Sequence, residues 1–290
     1  MRAWLERQIP KMVLAPSFVA ILIFVYGFIG WTAWISLTRS KLLPKYDLHG
    51  LIQYKRLLAA PRWDIAMDNL LLFGALFICI AMALGLLLAI LLDQRIRVEG
   101  VLRTIYLYPM ALSMIVTGTA WKWIMNPGLG IEAMVRGWGF ESFRFNWVID
   151  PEMAIYAVVI AAVWQASGFV MALFLAGLRS VDGEIIKAAQ IDGIPGWRIY
   201  TAIILPSMAP IFLSAFIVLA HLAIKSFDLV VALTGGGPGY ATDLPATYMY
   251  AMAFSRGDIG QAASSAMVMM GVVFAIVVPY LYSELRAKHV

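Results

Sequence analysis

Charge is scarce in this chain. Asp, Glu, Lys and Arg together make up 13% of 290 residues, against 62% hydrophobic residues and a mean hydropathy of +0.83. Soluble domains carry roughly 25% charged residues, so an ordinary water-soluble fold is excluded and a polytopic membrane protein is implied. Cysteine occurs once, as Cys79 inside an apolar run, which removes any intrachain disulfide and any Cys-based metal site. The three histidines, His49, His221 and His289, stand too far apart to suggest a metal set, and no His-Glu-x-x-His pattern is present. Carboxylates are scarce within the apolar runs and no internal repeat is visible. Both observations weigh against an ion-coupled secondary carrier, which needs buried acidic groups or matched broken helices.

What is there is apolar sequence in long runs. Stretches able to cross a hydrocarbon core of about 30 Å occur at 12–37, 67–92, 104–124, 153–178, 207–233 and 261–283, and they predict six transmembrane helices in an all-α fold. The first run follows Arg2, Arg7 and Lys11, exceeds a signal-peptide core and has no small-residue cleavage site, so it is read as a retained helix. The net charge is +5, with basic residues spread over membrane-flanking loops rather than gathered on one helix. Anionic lipid headgroups account for that pattern better than nucleic acid does. Orientation by charge is nearly balanced. Arg2, Arg7, Lys11, Arg95, Arg97, Arg103, Arg179, Lys187, Arg198, Arg286 and Lys288 fall on one side, while Arg39, Lys41, Lys45, Lys55, Arg56 and Arg62 crowd the first loop of the other.

Residues 182–206 lie between two apolar runs and carry a pattern of their own. Asp182 suits an N-cap, Gly193 suits the left-handed residue that ends a helix, and Pro195 suits the start of a second short helix stopping near Pro206. The expected product is a helix, a tight turn and a helix on the membrane surface, with Ile185, Ala188 and Ala189 on the inward face. Adjacent alanines on such an element let another protein's backbone come close, as a transporter driven by a separate motor requires.

Polar groups inside the runs mark a possible path. His221, Lys225 and Asp228 follow i, i+4, i+7, which predicts one stripe on the fifth helix. A Lys or Asp at mid-membrane costs roughly 2.5–3.5 kcal/mol on insertion scales, which favours a cavity position. A Lys225–Asp228 pair that only holds packing is the alternative, and His221 alone suits a hydrogen-bonded interior residue as well as a ligand contact. Trp164, Gln165, Ser167 and Phe169 on the fourth helix and Ser226 on the fifth offer an aromatic face and hydrogen-bonding groups suited to a sugar. Trp121, Lys122 and Trp123 sit near a span end, where an aromatic belt and a snorkelling lysine explain them. Gly235, Gly236, Gly237 and Gly239 are followed by no Gly-Lys-Ser or Gly-Lys-Thr, which excludes a phosphate-binding loop. With Pro238 they suit a tight loop near the outer surface.

The order Lys187-Ala188-Ala189, Asp192-Gly193, Ile203, Leu205-Pro206 resembles the coupling-loop signature of permease subunits of binding-protein-dependent ABC importers. Two further stretches resemble the sugar-permease branch, of the maltose and glycerol-phosphate permease type. One is Gly50-Leu51 with Tyr54, Leu57, Leu58, Pro61 and Asn69. The other is Thr234 to Gly239 followed by Ala246-Thr247-Tyr248 and Ala253-Phe254. The resemblance covers residues 48–285. It departs at Lys187, where the family has Glu, and Glu184 one turn earlier is a candidate replacement.

The resemblance implies a type I ABC importer permease fold with six transmembrane helices and a cytoplasmic coupling helix. Residues 1–66 would form the N-terminal tail, first helix and outer loop, 67–285 the permease core with its coupling segment at 182–206, and 286–290 a cytoplasmic tail. Glu184, Lys187, Ala188, Ala189, Asp192 and Gly193 would couple to the ATPase. Trp164, Gln165, Phe169, His221, Lys225, Ser226 and Asp228 would line the substrate pathway, and Gly235, Gly236, Gly237 and Pro238 would shape the outer loop. The implied partners are a second, different permease, two ATP-binding cassette subunits carrying ATP and Mg, an extracytoplasmic solute-binding protein, a sugar or polyol and membrane lipid. No metal, catalytic group or nucleic acid is expected on this chain. The implied location is the bacterial inner (cytoplasmic) membrane with both termini cytoplasmic. A permease for another small solute and an ion-coupled carrier are the alternatives.

Overall fold

The computed structural model describes residues 2–94 and 96–287, with the side chains of 2–10, 12 and 283–287 excepted. Arg95, Lys288, His289, the side chains of Arg2, Arg7 and Arg286, and most of the 286–290 tail lie outside the described residues. Among the described residues there is no strand, only an isolated bridge between Thr38 and Leu48.

Helix α1 (Arg2–Ile21) runs on through a wide π-helical turn at Leu22–Gly27 into Phe28–Ser36. A short α2 (Ile52–Leu58) precedes α3 (Pro61–Asp93), whose 33 residues span about 50 Å at 1.5 Å each. Then follow α4 (Glu99–Ala111, closing in a 3-10 turn), α5 (Met114–Ile124), α6 (Ile131–Gly137) and α7 (Ala154–Leu178). The remainder is α8 (Gly183–Ile191), α9 (Gly196–Ser207), α10 (Ala209–Ile224), α11 (Asp228–Leu233), α12 (Pro245–Tyr250) and α13 (Ile259–Ala287). Among the described residues four stretches are long and apolar enough to cross a membrane: Val13–Ser36, α3, α7 and Ile259–Tyr282.

Two expected spans are not straight rods. The expected third, 104–124, bends by 101° between α4 and α5; the expected fifth, 207–233, is instead α10, which ends at Ile224 and meets α9 at 65°, so among the described residues the count reaches six only with each bent pair, 99–124 and 196–224, taken as one span. Local chemistry explains both breaks. Pro109 sits in the 3-10 turn, Leu112 is extended at ψ 146, and Ser113 caps α5 by accepting from Val116 N at 3.3 Å. Pro206 and Pro210 flank the second bend, where each removes a backbone donor.

The chain divides into two compact units: Met1–Trp63 with Tyr248–Gly271, and Asp64–Thr247 with Val272–Val290. In the first, Trp63 is buried edge-on against Tyr248 at 5.3 Å, whose hydroxyl accepts from Gln261 Nε2 at 2.7 Å. In the second, α7 is the core and most of its residues are buried, whereas most of Val13–Ser36 is exposed. Neighbours approach α7 through missing side chains. A Cβ at Gly168 would lie 1.9 Å from the Tyr106 carbonyl, at Gly85 2.6 Å from Val170, and at Gly177 2.6 Å from Ile211. Small residues at such crossings let backbones close in where no hydrophobic drive separates protein from lipid. The bare face of the first span needs lipid or another chain.

Candidate functional site

The segment after α7 is built by backbone capping alone. The Asp182 carboxylate accepts from Glu184 N at 2.9 Å and opens α8. At its far end Gly193 takes φ +73, Ile194 N donates to Ala189 O at 3.0 Å, and Gly193 N donates to Gln190 O at 3.1 Å. This Schellman pair closes the helix as expected from the sequence. Pro195, extended at ψ 144, then caps α9, which runs to Ser207, near Pro206 as expected.

The face of α8 differs from expectation. Ala189 is buried, but Ala188 is exposed, and Ile185 is 51% and Ile191 85% exposed. Residues 185, 188 and 191 stand three apart and so form an outward apolar stripe, and on α9 Trp197 is 65% exposed. Ile185 and Ala188 are thus corrected from inward to outward. Capping fixes where a helix starts and stops, but only its packing partner decides which side is turned in. Glu184, Lys187 and Asp192 are exposed beside the stripe.

The root of this segment is clamped. Arg179, C-cap of α7, donates to Glu99 Oε1 at 2.8 Å and pairs with Asp93 at 3.5 Å, joining the end of α3 to the start of α4. The hydrogen bond to Glu99 raises the Arg179 pKa above its ordinary value while partial desolvation opposes it, so the guanidinium stays charged at any accessible pH. Nothing in the sequence beyond a basic residue at a helix end signalled this contact.

The expected polar stripe of the fifth helix does not form. Helix α10 ends at Ile224, Lys225 is its C-cap, Ser226 and Phe227 are non-helical, and Asp228 starts α11. The physical reason lies in the charges: a lysine suits the negative end of α10 and an aspartate the positive end of α11, so these residues mark a break. His221, Lys225 and Asp228 are all exposed on the isolated chain, and Lys225 forms no ion pair with Asp228 among the described residues. Ser226 and Phe227 are half-buried beside them.

On α7 the polar residues separate. Gln165 is buried and donates to Leu112 O at 2.8 Å, which ties down a carbonyl freed by the α4–α5 break. Ser167 is buried and bonds back to Trp164 O. Trp164 is exposed and meets Trp121 edge-on at 5.9 Å, and both line an apolar cavity of about 590 Å³ with Tyr106. Phe169 is half-buried and does not line it. Trp121 therefore belongs with Trp164 rather than to an aromatic belt, whereas Trp123 is 71% exposed.

The glycine loop is tight, as expected. Gly235, Gly236, Gly237 and Gly239 all take positive φ, and a Cβ at Gly237 would lie 2.7 Å from Thr242 Oγ1. Asn69 Nδ2 donates to Tyr240 O at 3.1 Å and Asp243 O at 3.0 Å. Thr242 N donates to Gly236 O at 3.0 Å, and the buried Asp243 accepts from Thr247 Oγ1 at 2.5 Å. Among the described residues no group of His, Cys, Asp and Glu could hold a metal ion.

Fold and site together define a polytopic helical membrane protein that presents, between two of its spans, a capped helix-turn-helix with a bare apolar side. The chain belongs to the family of binding-protein-dependent transport system inner membrane components, whose model matches residues 81–287. It is similar to a probable ABC transporter permease protein of Pyrococcus horikoshii, 39% identical over 279 residues and 96% of each chain. It is also similar to the xylose/arabinose import permease protein of Haloferax volcanii, 36% identical over 273 residues, 93% of this chain and 86% of the relative. A bacterial alginate ABC transporter, solved with an alginate pentasaccharide-bound periplasmic protein, shares the fold. Its TM-score is 0.84 at 19% identity over 99% of this chain and 98% of that one. The chain is thus a permease, a transport component of an ABC importer rather than an enzyme.

Proposed function

We propose that this chain is one of two permease subunits of an ATP-driven importer for a sugar or related polyol, with both termini cytoplasmic. The observation that carries the coupling role is the bare stripe of Ile185, Ala188 and Ile191 on a helix whose ends are fully capped. An element that meets its own backbone needs locally, yet leaves apolar side chains in water, is made to be covered by another chain. Its occupant is a cleft on an ATP-binding cassette subunit. Glu184, Lys187 and Asp192 rim that contact, with Lys187 supplying the charge opposite to the usual glutamate.

Nucleotide-driven closure of two such subunits would pull 182–206 and swing the spans between inward- and outward-facing states. The clamp of Arg179 on Asp93 and Glu99 supplies the rigid link from that segment to α3 and α4. His221, Lys225, Ser226 and Asp228 lie at a helix break, where unwound backbone and exposed polar groups suit a water-filled path shared with the second permease. Trp164 and Phe169 are the remaining pathway candidates, while Gln165 serves the α4–α5 bend. Sugar as the cargo class is supported by the relative named for xylose and arabinose import, and a binding-protein partner by the alginate complex.

The test is reconstitution in liposomes with the ATPase and second permease, adding a sugar-loaded binding protein and measuring ATP hydrolysis. Stimulation by the loaded protein is the expected result. Uptake driven by an ion gradient without ATP contradicts the proposal.

A further inference from the structure

The first loop, between the first and second spans, is far more basic than its topology predicts. Between residues 37 and 60 it carries Arg39, Lys41, Lys45, Lys55 and Arg56 against Asp47 alone. With six spans this loop lies on the side opposite 182–195, hence outside if that segment is cytoplasmic, where basic residues are ordinarily depleted. Asp258, between the fifth and sixth spans, falls on the same side by the same count.

The loop is also built rather than loose. Gln53 is 1% exposed and its Nε2 donates to Thr38 O at 2.8 Å. Ser40 Oγ donates to Lys45 O at 2.8 Å and meets Thr38 Oγ1 at 2.6 Å. Gly260 N donates to Ser40 O at 2.8 Å, and a Cβ at Gly260 would lie 2.6 Å from Gln53 Nε2. On this frame sits a pocket of about 350 Å³ lined by Arg39, Lys41, Ile52, Gln53, Arg56 and Asp258. Arg56 reaches Asp258 at 3.9 Å, whereas Arg39 and Lys41 have no ion partner among the described residues. The Oε1 of the buried Gln53 accepts no hydrogen bond. A pocket with cations in excess and a buried acceptor without a donor fits a carboxylate flanked by an N–H or O–H group.

We propose that this pocket is a docking socket for an acidic side chain on the extracytoplasmic solute-binding protein, with Arg39 and Lys41 taking the carboxylate and Gln53 accepting from a neighbouring N–H or hydroxyl. The proposal rests on the importer function proposed above. Docking through rim charges acts chiefly on encounter rate and is weakened by salt. Arg56 is held by Asp258, so Arg39 and Lys41 are the groups available to a visitor.

The test uses the reconstituted importer and the binding protein that stimulates it. With Arg39→Glu and Lys41→Glu combined, the binding-protein concentration for half-maximal stimulation should rise on the order of tenfold at low salt. ATP hydrolysis without binding protein should not change. The dependence of the half-maximal binding-protein concentration on salt, from about 50 to about 300 mM, should flatten. Poly-L-glutamate should compete with the binding protein on the wild type and not on the variant. If the reversed pair does not insert, Arg39→Gln with Lys41→Gln carries the test with a smaller shift. An unchanged half-maximal concentration and salt slope overturn the proposal. So does a defect confined to assembly with the second permease, or one seen only in anionic-lipid vesicles, since either gives the pocket another occupant. A wild-type complex that the binding protein fails to stimulate at all instead defeats the importer function itself.

Discussion

The helix-turn-helix at 182–207 and the glycine loop at 234–247 both adjoin spans, and they are held in opposite ways. The first uses only backbone grammar: an aspartate cap, a glycine at φ +73 and a proline start, with Ile185, Ile191 and Trp197 left in the open. The second hides its polar groups. Thr242, Asp243 and Leu244 are at most 1% exposed, and side chains from Asn69, Thr234 and Thr247 bond into it. A loop that completes itself needs no partner, whereas a capped helix with a bare apolar side waits for one.

Substitutions can break that contrast, and the largest effect is expected in the self-contained loop. Gly237→Val forces a β-branched residue into φ +85 with its Cβ 2.9 Å from Thr242 N. It should lower stability by ~2 kcal/mol or more, read as a fall in the thermal midpoint of the detergent-solubilised protein. Asn69→Ala comes next. It removes the donor shared by two loop carbonyls and should cost about 1–3 kcal/mol by the same measurement. In the coupling segment Asp182→Ala deletes only a cap, a local loss of about 1 kcal/mol that hydrogen exchange of α8 should detect without a shift in global unfolding. Ala188→Arg should have the smallest effect on stability, within about 0.5 kcal/mol, because its side chain points into solvent. It should nonetheless abolish binding-protein-stimulated ATP hydrolysis. If Ala188→Arg unfolds the protein or leaves coupling intact, the contrast between the segments fails.

Much of this was legible in the sequence, and what was not has physical causes. The apolar runs at 12–37, 67–92, 153–178 and 261–283 and the caps at Asp182 and Gly193 depend on residues within a few positions of one another, and the structure has them close to where they were expected. The bends depend on proline context that hydropathy averages away: Pro109 with Ser113 lies inside the run 104–124, and Pro206 with Pro210 straddles the start of the run 207–233. The spacing of His221, Lys225 and Asp228 was compatible with one helix, and only the helix ends reveal that the charges sit at a break. The outward turn of Ile185 and the pairing of Trp121 with Trp164 depend on partners distant in sequence, which no local pattern encodes.

Labelling of residue 188 tests the central claim most directly. With Cys79→Ser removing the one native thiol, Ala188→Cys offers a single reactive site to a membrane-impermeant maleimide. The account predicts labelling only from the cytosolic face, and protection when the ATP-binding subunits are bound. Labelling from the outer face, or cytosolic labelling that the ATPase leaves unaltered, would contradict it.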